Sequence, residues 1–411
     1  MLPLSILLIG LSIIMLTTMT VGWLARKLGQ SRVIGEIIGG VLLGPSVLGR
    51  IAPHAADFLF PKSSFDTFEV LSTLGLVLFL FLIGMELDLG KLYRQRTTAL
   101  FASTMSILVP FAVGAVLAPS LQLRFAVPGT ASLPFLLFIG IAMSITALPV
   151  LARILEERGL QSTELGTTAI FCAAAGDLAA WLLLSLALAL IGASDSQTSI
   201  PLRLLSLAAY LILMVCVVRP LSSRLTRRMW DSELSLEALS IILVSTLASA
   251  AVTESIGVHP LFGAFIAGVC FPPVETWKRQ IRIRSDMLVS VLLLPLFFAL
   301  TGMRTQLSLL SGRPVLIWAG IVLLAATFGK VAGAAIAARL TGWTWRDATA
   351  LGTLLNTRGL VELVVLNIAY SAGVFSSTLF SMMVVMALLT TMSTTPILNL
   401  LGIQRGSVQS K

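Results

Sequence analysis

The sequence has few charged residues. Asp, Glu, Lys and Arg make up 11% of its 411 residues, whereas 57% are hydrophobic. Soluble globular domains carry about 25% charged residues, so the composition excludes that class, and the mean hydropathy of +0.98 agrees. The long apolar runs predict an all-α protein that crosses the lipid bilayer many times.

Histidine and cysteine are scarce as well. The two histidines, His54 and His259, fall in predicted loops, and the three cysteines have no metal-ligand spacing. The sequence also lacks the Gly-x-x-x-x-Gly-Lys-Ser/Thr loop that binds nucleotide phosphates. We therefore expect no cofactor and no enzyme activity. Any active transport of a solute would have to be driven by an ion gradient.

Polar clusters, prolines and glycines divide the sequence into about thirteen predicted membrane spans, at roughly 20 residues for each 30 Å of hydrocarbon. Their approximate limits are 4–25, 32–50, 68–88, 99–118, 132–155, 164–191, 202–221, 236–254, 258–272, 287–303, 314–339, 347–371 and 376–402. The net charge of +9 is spread between these spans, which argues against nucleic acid as a partner. Most basic residues follow odd-numbered spans, so the N-terminus is expected outside and the C-terminus in the cytoplasm.

An aspartate, Asp177, lies near the middle of the sixth predicted span, directly after the small residues Ala173–Gly176. A carboxylate at that depth costs about 2.5–3.5 kcal/mol on insertion scales. A bound proton or metal cation offsets this cost, so ion transport is the leading hypothesis. The alternative is an aspartate that merely bonds to a neighbouring helix, a role usually taken by Ser, Thr or Asn.

A proline in the fifth predicted span, Pro149, follows Ser144 and Thr146. Proline removes a backbone donor and clashes with the preceding turn, so it predicts a broken helix. A break exposes carbonyl oxygens that transporters use to bind small cations at mid-depth. The hydroxyl groups of Ser144 and Thr146 would add ligands. A kinked but continuous helix is the alternative.

A lysine, Lys330, lies about two-thirds of the way along the eleventh predicted span. A side chain of this length can extend to the inner interface, where its ammonium is solvated. Alternatively, the ammonium is buried and pairs with Asp177, or it belongs to an ion pair that holds the site together.

The twelfth predicted span contains charges of both signs. Arg358 and Glu362 are four residues apart, so they share one face if the helix is continuous. Intramembrane charges at this spacing either form a structural pair or take part in transport. Asn356 and Gly359 predict a second helix break here.

The order of the spans indicates an inverted repeat. Spans two to six end on the Asp177 helix, and spans nine to thirteen contain the Lys330 and Arg358 helices. The two blocks start seven spans apart, an odd number, so they have opposite orientations in the bilayer. The fifth and twelfth spans, each with a predicted break, then occupy equivalent positions.

Four ordered motifs resemble the monovalent cation/proton antiporter superfamily, in particular its sodium or potassium/proton exchanger branch with the Kef-type, NapA-type and plant cation/proton exchangers. They are GEIIGGVLLGP at 35–45, LIGMELD at 82–88, LFGAFIAG at 261–268 and NTRGLVE at 356–362. The resemblance covers essentially the whole chain. It implies a thirteen-span fold with unwound crossed helices, a core domain that moves against a dimerisation domain, and homodimers.

The resemblance also implies a domain organisation. The exchanger domain is expected over 1–405, followed by a short cytoplasmic tail at 406–411. The core is expected at about 99–191 and 314–402, the dimerisation scaffold at about 1–88 and 236–303, and a linker helix at about 202–221. The implied location is the plasma (inner) membrane.

The site residues can be matched to this family by position. Asp177 matches the ion-binding aspartate, Thr146 and Pro149 the first unwound helix, and Lys330 the basic residue that faces the site. Gly176 stands where relatives often carry Asp, Asn or Gln, and a single carboxylate favours electroneutral exchange. We expect H⁺ and Na⁺ or K⁺ to compete for Asp177 by alternating access, with an ion channel or a proton-coupled carrier of another solute as alternatives.

Overall fold

A computed structural model describes residues 4–86, 96–161, 163–192, 200–228, 234–272 and 274–403. Over these ranges the chain is helical without a named strand, apart from an isolated backbone bridge between Ala126 and Phe375. The predicted tail at 406–411 lies outside the described residues. The predicted all-α fold is therefore confirmed for the described part of the chain.

Nineteen α-helices run through the described residues. They are α1 (Leu4–Lys27), α2 (Arg32–Leu43), α3 (Leu48–Ile51), α4 (Pro53–Leu59), α5 (Lys62–Glu86), α6 (Arg96–Phe125), α7 (Ser132–Ser144), α8 (Leu148–Glu157), α9 (Glu164–Gly192), α10 (Ile200–Leu213), α11 (Arg219–Arg228), α12 (Leu236–Ile256), α13 (Pro260–Val269), α14 (Glu275–Leu288), α15 (Leu294–Arg304), α16 (Arg313–Leu340), α17 (Trp345–Leu355), α18 (Leu360–Ser371) and α19 (Ser377–Leu400). Two π-helical turns, Met214–Val218 and Val289–Leu293, connect α10 to α11 and α14 to α15, and a 3-10 turn spans Leu307–Leu310.

Each predicted span coincides with a helix or a helix pair. Among the described residues, nine helices are long and apolar enough to cross a membrane, or up to eleven if each of two bent helix pairs is one span. Two shorter apolar helices, α7 and α13, lie in further predicted spans. The number of thirteen and the existence of a dimerisation domain stay predictions.

The chain forms two compact units. The first unit holds the described parts of Met1–Leu16, His54–Asp88 and Leu188–Leu300, and the second holds those of Thr17–Pro53, Leu89–Ala187 and Thr301–Lys411. The grouping differs from the predicted domains at residues 17–53, which were expected with the scaffold. Within the second unit α2 packs directly on the backbone of α15, since a Cβ on Gly302 would lie 2.2 Å from the carbonyl oxygen of Ile37. The functional roles of the units stay predictions.

The fifth predicted span is two helices, α7 and α8, separated by the non-helical residues Ile145–Ala147. Pro149 is the second residue of α8. It lacks the N–H that would bond to the Ile145 carbonyl in a continuous helix, and its ring would clash with that carbonyl. Proline is well tolerated in a first helical turn, so the break lies before it, and the alternative of a continuous kinked helix is wrong.

The twelfth predicted span is broken as well. Helix α17 ends at Leu355, Asn356 caps it, and α18 begins at Leu360 after the non-helical residues 357–359, which include Arg358. The two halves are bent by 44°. Gly359 directly precedes α18. The predicted second break at Asn356 and Gly359 is therefore present.

Small residues bring α16 against α6 within the second unit. A Cβ on Gly333 would lie 2.8 Å from the Met105 carbonyl oxygen, and a Cβ on Gly329 would lie 3.1 Å from the Cα of Pro110. Glycines four residues apart let two membrane helices approach closely, since van der Waals contact drives helix association in lipid. This contact sets the position of Lys330, which lies next to Gly329.

We expect Gly333→Ala to destabilise the protein, whereas Gly320→Ala on the same helix should not. A Cβ at Gly333 collides with backbone, and such overpacking costs about 1–3 kcal/mol. A Cβ at Gly320 meets no atom within 4 Å, and alanine favours a helix over glycine by about 1 kcal/mol. Thermal unfolding in detergent checks this. Equal melting temperatures for the two variants would contradict the packing argument.

Candidate functional site

The two helix breaks of the second unit lie against each other. The backbone N–H of Ala147 donates to the carbonyl of Thr357 at 2.9 Å, and the Thr146 hydroxyl donates to the carbonyl of Leu355 at 2.8 Å. A Cβ on Gly359 would lie 3.3 Å from the Cβ of Ala147, tighter than most carbon contacts. Glycine therefore permits the approach, and the bonds between the breaks satisfy backbone groups that would otherwise be unpaired inside the membrane.

Two buried cations cap the end of α7. The guanidinium of Arg358 donates to the carbonyls of Ala142, at 2.5 Å, and Met143, at 2.9 Å. The ammonium of Lys330 donates to the carbonyl of Ser144. The last carbonyls of a helix have no partner in their own helix and carry its partial negative charge. Both basic residues thus stabilise the broken end of α7.

Lys330 is 1% exposed and has a second partner, the carbonyl of Ser106 on α6 at 2.9 Å. This carbonyl is free because Pro110, four residues later inside α6, has no N–H to offer it. The possibility that Lys330 extends to the inner interface is wrong. Within the described residues Lys330 also forms no ion pair with Asp177, since its ammonium is bound to backbone carbonyls.

Arg358 and Glu362 form an ion pair with 3.2 Å between Nη1 and Oε1, and both side chains are fully buried. Arg358 precedes α18, whereas Glu362 lies in its first turn, so the pair does not rest on one continuous helix. A carboxylate in a first turn also interacts favourably with the helix dipole. The backbone of Arg358 is fixed by Thr391, whose hydroxyl accepts from its N–H at 2.8 Å and donates to its carbonyl at 2.7 Å.

Asp177 lies on α9 and is 2% exposed. Its Oδ1 has no hydrogen-bond partner in the described part of the chain, and neither do Oδ1 of Asn356 and Oε2 of Glu362. Next to Asp177, a Cβ on the buried Gly176 would meet no atom within 4 Å. A buried carboxylate oxygen thus remains free to accept a proton or a cation.

The predicted hydroxyl ligands lie at the first break. The Ser144 hydroxyl donates to the carbonyl of Ile141 at 3.0 Å, as the Thr146 hydroxyl does to Leu355. A hydroxyl group that donates its proton retains lone pairs with which its oxygen can bind a cation. The charges of Asp177 and Glu362 act electrostatically on Lys330, so the acidic and basic groups predicted from the sequence belong to one cluster.

Several residues of the site escaped the sequence analysis. The polar partners of Lys330 and Arg358 include the Ser106 carbonyl and the Thr391 hydroxyl. Pro110, inside an apolar run, could have indicated the free carbonyl of Ser106, because a proline has no N–H to bond to the carbonyl four residues earlier. Thr391 gave no signal, since threonine is common in membrane helices as a link between helices.

We expect Arg358→Met to destabilise the protein strongly, by about 3–5 kcal/mol, because it leaves the buried Glu362 carboxylate unpaired. The double variant Arg358→Met/Glu362→Leu should regain part of the loss. Arg32→Met is the matched control, since the Arg32–Glu36 pair has the same spacing and the Arg32 side chain is 27% exposed. Melting temperatures in detergent measure all three. A double variant no more stable than Arg358→Met would contradict this account.

Comparison with known proteins identifies the family of the chain. The model of the family "Sodium/hydrogen exchanger, transmembrane" matches residues 14–400. The chain is 40% identical over 401 residues to cation/H(+) antiporter 19 of Arabidopsis thaliana, covering 97% of this chain but 50% of that protein, so it spans half the length of this relative. It is 39% identical to the Na(+)/H(+) antiporter NhaS4 of Synechocystis, covering 92% of each chain.

Among solved structures, the sodium proton antiporter MjNhaP1 of Methanocaldococcus jannaschii, determined at pH 8, superposes with a TM-score of 0.74. The match covers 98% of this chain and 99% of that one at 16% identity, so it shows the fold alone. The family model and the relatives together show to which family the chain belongs. The chain belongs to the transmembrane sodium/hydrogen exchanger family.

Proposed function

We propose that the protein is a secondary active antiporter that exchanges a monovalent cation, Na⁺ or K⁺, for H⁺. The observation that carries this function is the buried Asp177, whose Oδ1 has no hydrogen-bond partner in the described residues. A carboxylate in this setting is costly unless it holds a positive charge. A proton and a metal cation therefore compete for Asp177, and the competition couples their movements.

The cation is held by Asp177 together with the oxygens of the first break. Thr146 and Ser144 supply hydroxyl oxygens, and the break provides backbone carbonyls at mid-depth. Monovalent and other hard cations prefer such oxygen ligands. Thr146 has a second role, since its hydroxyl bond to Leu355 holds the two breaks at a fixed separation.

Lys330, Arg358 and Glu362 hold the site together and do not carry the exchanged ions. The bonds from Lys330 and Arg358 to the end of α7 support this role, because a cation that caps a helix end inside the membrane cannot leave without exposing unpaired carbonyls. Asp177 is then the single exchanging carboxylate. One proton for one cation follows, which makes the exchange electroneutral.

Alternating access supplies the movement. A core that contains the two breaks moves against a dimerisation domain and presents Asp177 to each side in turn, as in other carriers built from inverted repeats. The protein works as a homodimer in the plasma (inner) membrane, with its N-terminus outside and its C-terminus in the cytoplasm. The basic residues after odd-numbered spans support this orientation.

We expect Asp177→Asn to abolish cation-dependent proton flux in proteoliposomes, since an amide can bind neither ion in exchange for the other. Asp57→Asn, at an exposed carboxylate on α4, should leave the flux unchanged. A pH-sensitive dye inside the vesicles, read after addition of Na⁺, K⁺ or Li⁺, measures the exchange and its selectivity. Retained exchange in Asp177→Asn would contradict the proposal that the two ions compete for Asp177. Ion currents without proton counterflow would identify a channel.

The stoichiometry gives a further expectation. Wild-type exchange should not respond to an imposed membrane potential, because one positive charge moves in each direction. Gly176→Asp places a second carboxylate at the position before Asp177, where a Cβ meets no atom of the described residues within 4 Å, and should make the exchange rate depend on the potential. Gly176→Ala, which fits the same space without a charge, is the control and should behave like the wild type. A wild-type rate that depends on potential would contradict electroneutral exchange.

A further inference from the structure

Two adjoining cavities lie in the second unit, and their described lining residues do not include Asp177, Ser144 or Thr146. The outer cavity begins at Gly29–Ser31, in the turn between α1 and α2, and is also lined by Thr395 of α19. The inner cavity reaches Arg358 at the second break. Each has a volume of about 10 Å³, room for about one water molecule. They share four lining residues, Ser31, Ile34, Val150 and Thr391, so they adjoin each other.

Polar residues line both cavities. Three residues with hydroxyl groups line the cavities: Ser31 and Thr391 line both, and Thr395 lines the outer one. The inner end is formed by Arg358, whose Nε has no hydrogen-bond partner in the described residues although the residue is 1% exposed. Buried polar groups in folded proteins nearly always have a partner, either in the protein or in ordered water.

A small cavity holds water when two to four polar groups surround it, whereas a cavity lined by apolar side chains alone stays dry. Ile34 and Val150 are apolar, but Thr391 and Arg358 offer hydroxyl and guanidinium partners at the inner end. A water molecule there supplies the acceptor that Arg358 Nε lacks. Closed apolar packing would leave that buried donor unsatisfied, which is unfavourable.

We propose that the two cavities form one water path, which leads from the turn at Gly29–Ser31 past Thr391 to the guanidinium of Arg358. Water is the molecule that occupies this path. The path goes beyond the exchange function, since it serves the ion pair at the second break and does not include Asp177. It lets water reach Arg358 from the side on which Lys27 lies, whichever side the Asp177 site faces.

Thiol labelling tests the path without a transport measurement. Cysteines are placed at Thr391 and at Ala387, which lines the inner cavity, in a Cys216→Ser background, where the two remaining cysteines, Cys172 and Cys270, are buried. Thr390→Cys and Thr394→Cys are matched controls, because both threonines are buried on α19 but line neither cavity. Lys27→Cys, at an exposed position, reports the side from which a membrane-impermeant methanethiosulfonate reagent reacts.

We expect Thr391→Cys and Ala387→Cys to react at least about tenfold faster than the two controls, since a thiol without a water path reacts only when its helix opens locally. Reaction should occur from the Lys27→Cys side. If Ala387→Cys does not fold, Thr391→Cys decides. Rates equal to those of the controls, or reaction from the opposite side alone, would overturn the proposal.

Blocking the outer cavity gives an independent measurement. Thr395→Leu fills the outer cavity and should slow the labelling of Ala387→Cys severalfold. Ser393→Leu adds the same side chain at a neighbouring position that lines neither cavity, and should leave the labelling rate unchanged. Unchanged labelling in Thr395→Leu would also overturn the proposal, whereas loss of exchange in Asp177→Asn bears on the exchange function alone.

Discussion

The end of α7 imposes the constraint on which the rest of the site depends. A helix that stops inside the membrane leaves carbonyl groups without partners, and lipid offers no water to bond them. Here Arg358 and Lys330 bond three of these carbonyls. Buried positive charge is costly by itself, but at a helix C-terminus it meets the partial negative charge of the dipole. The unpaired carbonyls and the buried cations thus stabilise each other.

Other features of the second unit bring these cations into place. Gly329 and Gly333 let α16 approach α6, so that Lys330 meets the carbonyl freed by Pro110. Arginines at the ends of α8 and α17 that lie away from the breaks bond to backbone carbonyls in a similar way. Arg158, after α8, donates to the carbonyl of Ile403 at 2.7 Å, and Arg346, in α17, donates to carbonyls that follow α19. Arginine bonds to free carbonyls therefore recur where helices of this unit end.

This arrangement leaves Asp177 chemically available. Since Lys330 and Arg358 are bonded to carbonyls, and Arg358 also to Glu362, no basic side chain in the described residues neutralises the Asp177 carboxylate by direct contact. A Cβ on Gly176, the residue before Asp177, would meet no atom of the described residues within 4 Å. The physical contrast between bonded cations and an unbonded carboxylate separates the groups that build the site from the group that exchanges ions in the proposed mechanism.

The sequence by itself determined the membrane class, the helix positions, the two breaks and the set of charged residues, because hydrophobic length, proline and intramembrane charge act locally along the chain. It did not determine the partners of those charges. Asp177, Lys330 and Arg358 lie far apart in sequence, and alternatives such as a Lys330–Asp177 pair were equally compatible with it. The tertiary structure decided between them, because which carbonyls are left unpaired at mid-depth depends on where each helix ends and which neighbour reaches that end.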